Sequence, residues 1–242
     1  MGSLESQMEM LSIDEEEKWI KHYSSSHKIL LVGEGDFSFA ACLGKTFGSA
    51  ANMVATSLYS KETMMLKYSK AATNLSELEE LGCTIMHGVD AHTMNKHPLL
   101  NRKSFDRIVY NFPATALKMS ESNTHQIELD EGCQFCLDLT VSKAYISLLR
   151  KHQRLVKGFL GSAHDMLEVN GEIHVTHKTT EPYSKWEIEK LAEDAGLCLV
   201  EKVRFKKADY PGFINKRGSG PRADQTFSAG NCCTFKFARN IT

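Results

Sequence analysis

The sequence lacks the features that would mark a membrane, secreted or repeat protein. No apolar run approaches the roughly 20 residues that a helix needs to cross a bilayer, and the N-terminal segment has no basic stretch followed by an apolar one. Internal repeats and low-complexity tracts are absent as well. We therefore expect a soluble intracellular protein with no membrane partner and one main domain.

The chain also lacks an excess of charge of either sign. Lysine plus arginine number 29, and aspartate plus glutamate number 30. A balanced chain has no global attraction for nucleic acid or for anionic membranes. Any contact with RNA must therefore come from a local basic patch.

Paired cysteines and metal-ligand spacings are scarce. The seven cysteines are odd in number and scattered, and several lie in apolar, strand-like runs where reduced buried thiols are typical. Cys133 and Cys136 form one CxxC pair with no second pair or suitably spaced histidines. His174 and His177 lie three apart on a predicted strand, which turns them to opposite faces. We predict no metal site.

Short apolar runs instead alternate with helical stretches along most of the chain. The predicted strands are residues 28–33, 52–60, 83–90, 105–112 and 171–178, and the predicted helices are 36–47, 61–81, 143–168 and 184–195. This alternation indicates a parallel sheet covered on both faces. Two further predicted strands, 197–205 and 232–238, have no helix between them and should pair antiparallel.

The predicted fold class is therefore α/β: a Rossmann-like, doubly wound and mostly parallel sheet that ends in an antiparallel strand pair. This is the outline of the class I, adenosylmethionine-dependent methyltransferases. Two segments fall outside it. Residues 1–26 are acidic and predict a loose N-terminal tail with one helical turn near "EEEKWI", and residues 115–142 predict an insertion or lid within the main domain, 27–242.

A glycine-containing turn follows the first predicted strand, in "VGEGDFSF". Glycines there let a ligand approach the backbone at the crevice where open α/β sheets bind ligands, although any tight strand-to-helix turn could use them. A nicotinamide oxidoreductase is disfavoured because Ser38 replaces the third glycine of the dinucleotide fingerprint and no acid lies near the end of the second strand. The candidate cofactor-binding residues of this turn are Gly33, Glu34, Gly35, Asp36, Phe37 and Ser38.

Two more motifs end neighbouring predicted strands. "HGVDA" places Asp90 after the third strand, where a carboxylate can accept hydrogen bonds from an adenine amino group, and "NFP" places Asn111, Phe112 and Pro113 after the fourth. A strand-end turn or helix cap for Asp90 and a rigid proline turn for "NFP" are the simpler interpretations. Together, the motifs predict a cofactor site beside a reaction site.

At these motifs the sequence resembles a known family. "ILLVGEGDFSFA", "ATSLYS", "FDRIVYNFP", "HQRLVKGFLGSA" and "YPGFINKRGSG" look like the eukaryotic 25S rRNA (uridine-N3)-methyltransferases, from about His27 to Arg239. The resemblance implies S-adenosyl-L-methionine as methyl donor and a uridine of large-subunit ribosomal RNA as acceptor. It also implies ribosomal RNA or a pre-ribosome as partner, and the nucleus and nucleolus as location, with the cytoplasm as the alternative.

The resemblance also suggests roles for the "NFP" residues. The reaction would be an in-line attack by uracil N3 on the methyl group, helped chiefly by alignment and by exclusion of water. Asn111 is the candidate to accept the N3 proton through its amide oxygen. Phe112 would stack on an extruded base, and Pro113 would fix the turn.

The chain departs from the family pattern at two positions. Tyr59 in "TSLYS" replaces an acid that would hold the ribose hydroxyls of the cofactor, so Ser57 and the Tyr59 hydroxyl are the candidate substitutes. Ala114 stands where family members commonly have the histidine of "NFPH". These departures leave open a second function, a non-catalytic Rossmann-like RNA-binding or ribosome-assembly module that no longer uses the methyl donor.

A local basic patch occurs in the C-terminal part of the chain. It begins with Lys202, Arg204, Lys206 and Lys207, around the end of the predicted strand 197–205, and continues into the long polar segment between the last two strands. The candidate substrate-binding residues of that segment are Tyr210, Phe213, Lys216, Arg217 and Arg222. Aromatic rings between cations suit an RNA backbone and an unstacked base, although a solvated surface has the same composition. We expect this segment on the substrate side of the site and not on the cofactor side.

Overall fold

A computed structural model describes residues 16–115 and 139–240, with side chains for all of these except 139–144. The strands in this part of the chain are β1 Trp19–Ile20, β2 Tyr23–Ser24, β3 Ile29–Leu31, β4 Met53–Ser57, β5 Thr84–His87, β6 Phe105–Asn111, β7 Leu167–Lys178, β8 Leu197–Arg204 and β9 Cys232–Arg239. The α-helices are α1 Ser38–Phe47, α2 Lys61–Lys67, α3 Ala71–Glu80, α4 Leu139–Asp165 and α5 Ile188–Glu193.

Seven strands form the main sheet, in the order β5-β4-β3-β6-β7-β9-β8. The first five in this order are parallel, whereas β9 runs antiparallel to both β7 and β8. The predicted fold class, a mostly parallel sheet that ends in an antiparallel pair, is confirmed. The carboxyl ends of β3, β4, β5 and β6 consequently meet along one edge.

Helices cover both faces of the sheet. On one face Leu30 of β3 belongs to the same hydrophobic cluster as Phe159 of α4, and on the other Leu31 clusters with Leu43 of α1 and Leu78 of α3. All five side chains are fully buried. Because β3 is buried on both faces, it reads as a continuous apolar run in the sequence.

One predicted helix, 61–81, is divided into α2 and α3. Tyr68 ends α2 with extended backbone, φ −130° and ψ 115°, and its side chain is buried. The Tyr68 hydroxyl lies 3.5 Å from where a Cβ on Gly35 would stand. The break in the helix therefore directs a large aromatic side chain towards the glycine-containing turn.

The helical turn predicted near "EEEKWI" is wrong. β1 pairs antiparallel with β2 instead, and the buried side chains of Ile20 and Tyr23 join the hydrophobic core. The Tyr23 hydroxyl lies 3.1 Å from Nδ1 of His174, whose Nε2 lies 2.8 Å from Glu172. The core thus holds this part of the chain, because a buried tyrosine needs both apolar contacts and a partner for its hydroxyl.

Several sequence predictions concern residues outside this description. They are the tail before residue 16, most of the insertion at 115–142, and the Cys133–Cys136 pair. Among the described residues, no helix is long and apolar enough to cross a bilayer. The same residues contain no group of three or more His, Cys, Asp or Glu side chains that could hold a metal ion.

Candidate functional site

The glycine-containing turn joins β3 to α1 at the carboxyl edge of the sheet. Gly33 and Phe37 both have left-handed backbone, with φ of 68° and 61°. A Cβ on Gly33 would stand 2.5 Å from the ring of Tyr110, so Gly33 makes room for this buried side chain. A Cβ on Gly35 would stand 3.5 Å from the Tyr68 hydroxyl, which is an ordinary van der Waals contact. Gly33 is exposed and Gly35 is partly buried, so the turn leaves backbone at this edge of the sheet that a ligand can approach.

Two acids of this turn are buried. The Glu34 carboxyl accepts a hydrogen bond from the backbone N–H of Ala40 at 3.3 Å, but burial dominates and raises its pKa to about 8. Asp36 Oδ1 accepts from the Ser38 N–H at 3.0 Å. Asp36 Oδ2 is buried and accepts no hydrogen bond from a described residue. The Asp36 carboxylate therefore needs a nearby cation for the oxygen that has no hydrogen bond.

The ends of β4 and β5 continue the site from this turn. Ser57, the last residue of β4, is buried, and its carbonyl accepts from Val89 at 3.0 Å, which ties the two strand ends together. Asp90 follows, with a half-exposed carboxylate beside a cavity of about 180 Å³. Burial opposes ionisation of Asp90, yet hydrogen bonds from His92 leave its pKa below the usual value. Asp90 is thus an ionised acceptor at the position predicted for adenine recognition.

The "NFP" motif ends β6. Asn111 is aligned with Thr176 of β7, and the following residue, Phe112, has left-handed backbone with φ 49°. Both polar atoms of the Asn111 side chain are buried, and neither has a hydrogen-bond partner in the described part of the chain. A buried amide without partners costs about 1–3 kcal/mol for each unsatisfied group. Such an amide is suited to bind a ligand that supplies both an acceptor and a donor.

The Phe112 ring already has aromatic neighbours. Its edge-to-face contacts are with Phe205, at 5.7 Å between ring centroids, and with Phe227, at 5.3 Å. Phe112 is only partly buried. Stacking of a base on Phe112 therefore stays a prediction, and any such base would join an existing aromatic cluster. Pro113 is buried directly after it.

A histidine that the sequence did not indicate lies beside this turn. Ala114 is exposed, and the next residue, Thr115, donates its backbone N–H to Nδ1 of His152 at 3.3 Å. The His152 ring stacks on Trp186 at 4.2 Å. A histidine of α4 thus approaches the turn from which the family histidine is missing. Local sequence patterns could not predict this contact, because His152 lies 37 residues after Thr115 in the chain.

The segment between β8 and β9, residues 205–231, is called the C-terminal loop here. Tyr210 and Phe213 of this loop are buried and contact Phe39 of α1, with ring centroids 5.1 and 5.3 Å apart. Both rings are buried instead of displayed on the surface, and substrate binding by these two residues stays a prediction. Their apolar surface belongs to the core cluster that covers one face of the sheet.

The middle of the C-terminal loop contacts the glycine-containing turn. Lys216 Nζ lies 2.6 Å from Asp224 Oδ1 and 3.6 Å from Asp36 Oδ2, and its side chain is only 9% exposed. Ser38 Oγ accepts from the backbone N–H of Ile214 at 3.0 Å. Lys216 therefore lies against the glycine-containing turn, on the predicted cofactor side of the site. The sequence had led us to expect it on the substrate side.

Tyr59 gives a second contact between the strand ends and the C-terminal loop. Its hydroxyl donates to the carbonyl of Gly218 at 3.1 Å, so Tyr59 holds the loop at the position where the family resemblance implied a ribose-binding acid. Arg217 is partly buried and Arg222 is exposed. Substrate binding by these two arginines stays a prediction.

The residues at this edge fit S-adenosylmethionine in three respects. The exposed backbone of the glycine-containing turn at Gly33 suits the amino-acid portion of the cofactor, beside the Asp36 carboxylate that is paired with Lys216. Asp90 suits the adenine amino group. The unpaired Asn111 amide lies at the end of β6, which is next to β3, where an acceptor base would meet the methyl group. For the ribose hydroxyls, the protein offers a tyrosine and not a carboxylate at position 59.

Comparison with known proteins gives one matching family model. The BMT5-like model, described as rRNA (uridine-N3-)-methyltransferase BTM5-like, matches residues 30–217. The match contains the glycine-containing turn, Asp90 and the "NFP" motif, and it ends within the C-terminal loop just after Lys216.

Several curated proteins are similar in sequence. Heavy metal-associated isoprenylated plant protein 41 of Arabidopsis thaliana is 46% identical over 96% of this chain, which spans 41% of that protein. An uncharacterized protein of the same plant is also 46% identical, over 93% of this chain and 98% of its own length. The 25S rRNA (uridine(2634)-N(3))-methyltransferase of Saccharomyces cerevisiae is 27% identical, over 81% of this chain and 67% of its own.

Among solved structures, the chain is similar to NSun6 from Pyrococcus horikoshii, determined with SFG. The TM-score is 0.53 at 17% identity, over 90% of this chain and 48% of that one. This likeness concerns the fold, and it agrees with the methyltransferase outline that the strand order predicts.

We predict that Lys216→Met weakens S-adenosylmethionine binding at least tenfold, because the buried Asp36 carboxylate loses its cation and the turn rearranges. Lys207→Met, an exposed lysine of the same loop, is the matched control and should bind like wild type. Calorimetry measures the affinity. Tyr59→Phe removes only the bond to Gly218 and should weaken binding severalfold, so it decides the question if Lys216→Met does not fold. Wild-type affinity in a folded Lys216→Met would contradict the assignment of this loop.

We also predict a pH-dependent stability from Glu34. Between the ordinary pKa of 4.5 and the folded value of about 8, the folded state keeps a proton that the unfolded state has lost. The free energy of unfolding therefore falls as pH rises through this range, by at most about 1.4 kcal/mol per pH unit.

Urea unfolding at pH 5.5 and 7.5 measures this effect. Wild type should lose stability over this interval relative to Glu34→Gln, which has no titrating group there. Glu193→Gln, at an exposed helix position, is the control and should follow wild type. Parallel pH dependence in wild type and Glu34→Gln would show that the Glu34 carboxyl titrates normally.

Proposed function

Because the chain belongs to the BMT5-like family, we propose that it transfers a methyl group from S-adenosylmethionine to N3 of a uridine in large-subunit rRNA. Its fold and family are those of S-adenosylmethionine-dependent rRNA methyltransferases. The uridine-N3 specificity is supported by the family description and by the name of the yeast relative. Action on a pre-ribosome in the nucleolus belongs to the same proposal.

One observation in the site carries this proposal: the Asn111 amide is buried and both of its polar atoms lack partners. An asparagine side chain offers one acceptor and two N–H donors. Uracil presents an N3–H donor flanked by carbonyl oxygens, so the amide oxygen of Asn111 can accept from N3–H while its N–H donates to a neighbouring carbonyl. This pairing satisfies the amide and selects the reacting edge of uracil.

The chemical step needs little from the protein beyond placement and charge stabilisation. When bound, S-adenosylmethionine supplies an electrophilic methyl group. The N3–H bond breaks and an N3–C bond forms, while the carbon–sulfur bond breaks and leaves S-adenosylhomocysteine. Loss of the N3 proton puts negative charge on the uracil carbonyls, and the Asn111 N–H that donates to one of them stabilises that charge.

The proton and the methyl group use the same line of approach to N3. The contact between Asn111 Oδ1 and N3–H therefore places the base before proton loss, and the proton then leaves to water. The buried carboxyls of the adjacent turn are engaged: Glu34 is held protonated by its raised pKa and Asp36 is paired with Lys216. Rate enhancement thus rests on alignment and on exclusion of bulk water at the strand ends.

We predict that Asn111→Ala lowers methyl transfer by about a hundredfold or more, the loss typical of one oriented polar group. Affinity for S-adenosylmethionine should stay within twofold of wild type, because Asn111 contacts the acceptor. Radiolabelled methyl transfer to uridine-containing large-subunit rRNA fragments, with mass spectrometry of the product nucleoside, measures the effect. Asn101→Ala is the control, at an exposed turn before β6.

The outcomes separate enzyme from binding module. Formation of 3-methyluridine that falls with Asn111→Ala and not with Asn101→Ala supports the proposal. Absence of transfer by wild type, with RNA affinity unchanged in Asn111→Ala, would contradict it and leave an RNA-binding module. Methylation at another base atom would keep the methyltransferase function and overturn the uridine-N3 specificity.

A further inference from the structure

A second cavity, of about 290 Å³, lies between the β1–β2 turn and the beginning of the C-terminal loop. Its lining includes Lys21, His22, Arg204, Phe205, Lys206 and Tyr210. These residues come from two segments more than 180 positions apart in the sequence. The hairpin that replaces the predicted tail therefore builds one wall of the cavity.

Cations dominate the rim of this cavity. Lys21 is paired with Asp209, which also lines the cavity, at 2.9 Å. Arg204 and Lys206 are exposed, and neither forms an ion pair with any residue that the structure describes. Burial lowers the pKa of His22 to about 3, with a contribution from His174, so His22 adds no charge at neutral pH. The positive charge therefore comes chiefly from Arg204 and Lys206.

The floor of the cavity is aromatic and leads to the acceptor site. Phe205 stacks on Tyr210 with ring centroids 5.2 Å apart and an interplanar angle of 12°. Phe205 also meets Phe112 of the "NFP" motif edge to face, with ring centroids 5.7 Å apart. One ring thus separates the cavity from the turn that carries Asn111.

We propose that this cavity holds the backbone phosphate and ribose of a nucleotide next to the target uridine, with Arg204 and Lys206 binding the phosphate. The inference rests on the proposed function, and it adds a subsite for the RNA strand. Single-stranded nucleic acid sites combine a cationic groove with aromatic side chains, and this cavity has both. Its contact with Phe112 gives the strand a path from the acceptor site.

The position of the subsite has a consequence for substrate entry. The middle of the C-terminal loop places Lys216 on the cofactor side. The beginning of the loop, with Phe205 and Lys206, lines the cavity together with Arg204 of β8. A strand that runs past Phe112 into the cavity leaves the cofactor side clear. RNA binding and cofactor binding are therefore expected to respond to different substitutions.

Fluorescence anisotropy with a fluorescein-labelled 12-nucleotide oligouridylate tests the subsite. The double variant Arg204→Gln/Lys206→Gln should bind this RNA about tenfold more weakly at 100 mM KCl. The slope of log Kd against log salt concentration should fall by about 0.7, because each phosphate that the protein neutralises on a single strand contributes about 0.7. Calorimetry should find unchanged S-adenosylmethionine affinity.

The matched control is Arg102→Gln/Lys103→Gln, which removes the same charges from exposed positions before β6, at the opposite edge of the sheet. It should bind the RNA like wild type. Both double variants change exposed side chains, and thermal unfolding verifies that they fold. Equal losses in the two variants would overturn the subsite, because they would show an effect of net charge alone.

Competition with uridine monophosphate distinguishes a strand from a free nucleotide. A strand subsite is supported if uridine monophosphate displaces the oligouridylate only at concentrations well above the Kd of the oligouridylate. Equal affinities of the protein for uridine monophosphate and for the oligouridylate would overturn the strand subsite in favour of a mononucleotide site. The binding assay needs no methyl transfer. If RNA binding depends on Arg204 and Lys206 but no uridine is methylated, the proposed function alone is contradicted. If wild type methylates uridine but Arg204→Gln/Lys206→Gln binds RNA no more weakly than the control variant, the subsite alone is contradicted.

Discussion

The arrangement of the site depends on the ion pairs that the buried side chain of Lys216 forms. A buried cation is costly unless carboxylates surround it, so Lys216 keeps Asp36 of the glycine-containing turn and Asp224 of the C-terminal loop together. Asp224 also accepts from the Ser69 hydroxyl at 2.7 Å, at the junction of α2 and α3. These contacts hold three distant parts of the chain together at the carboxyl end of β3.

This constraint divides the edge of the sheet into two sides. On the cofactor side, Tyr59 and Ser38 bind the loop as well, through Gly218 and Ile214. On the acceptor side, the Asn111 amide is left without partners beside an aromatic cluster. A methyl donor and a base can therefore approach each other from opposite sides, with alignment set by the backbone at the strand ends.

Local sequence patterns predicted the sheet well, because the apolar runs and the intervening helices follow from residue periodicity alone. They failed where long-range contacts decide. Alternating aromatic and basic residues around Tyr210 and Lys216 have the composition of an RNA-binding surface, but Asp36, 180 positions away, turns the lysine inward. In the same way, the hydroxyl of Tyr23 finds its partner in His174, and His152 reaches Thr115 from α4. Neither partner can be read from neighbouring residues.

Hydrogen–deuterium exchange with and without S-adenosylhomocysteine measures whether the glycine-containing turn and the C-terminal loop form one cofactor site. If they do, bound S-adenosylhomocysteine slows exchange in peptides covering residues 33–38 and in those covering 214–220, and both effects disappear together in Lys216→Met. Slower exchange in residues 33–38 with no change in 214–220 would show that the C-terminal loop is not part of the cofactor site.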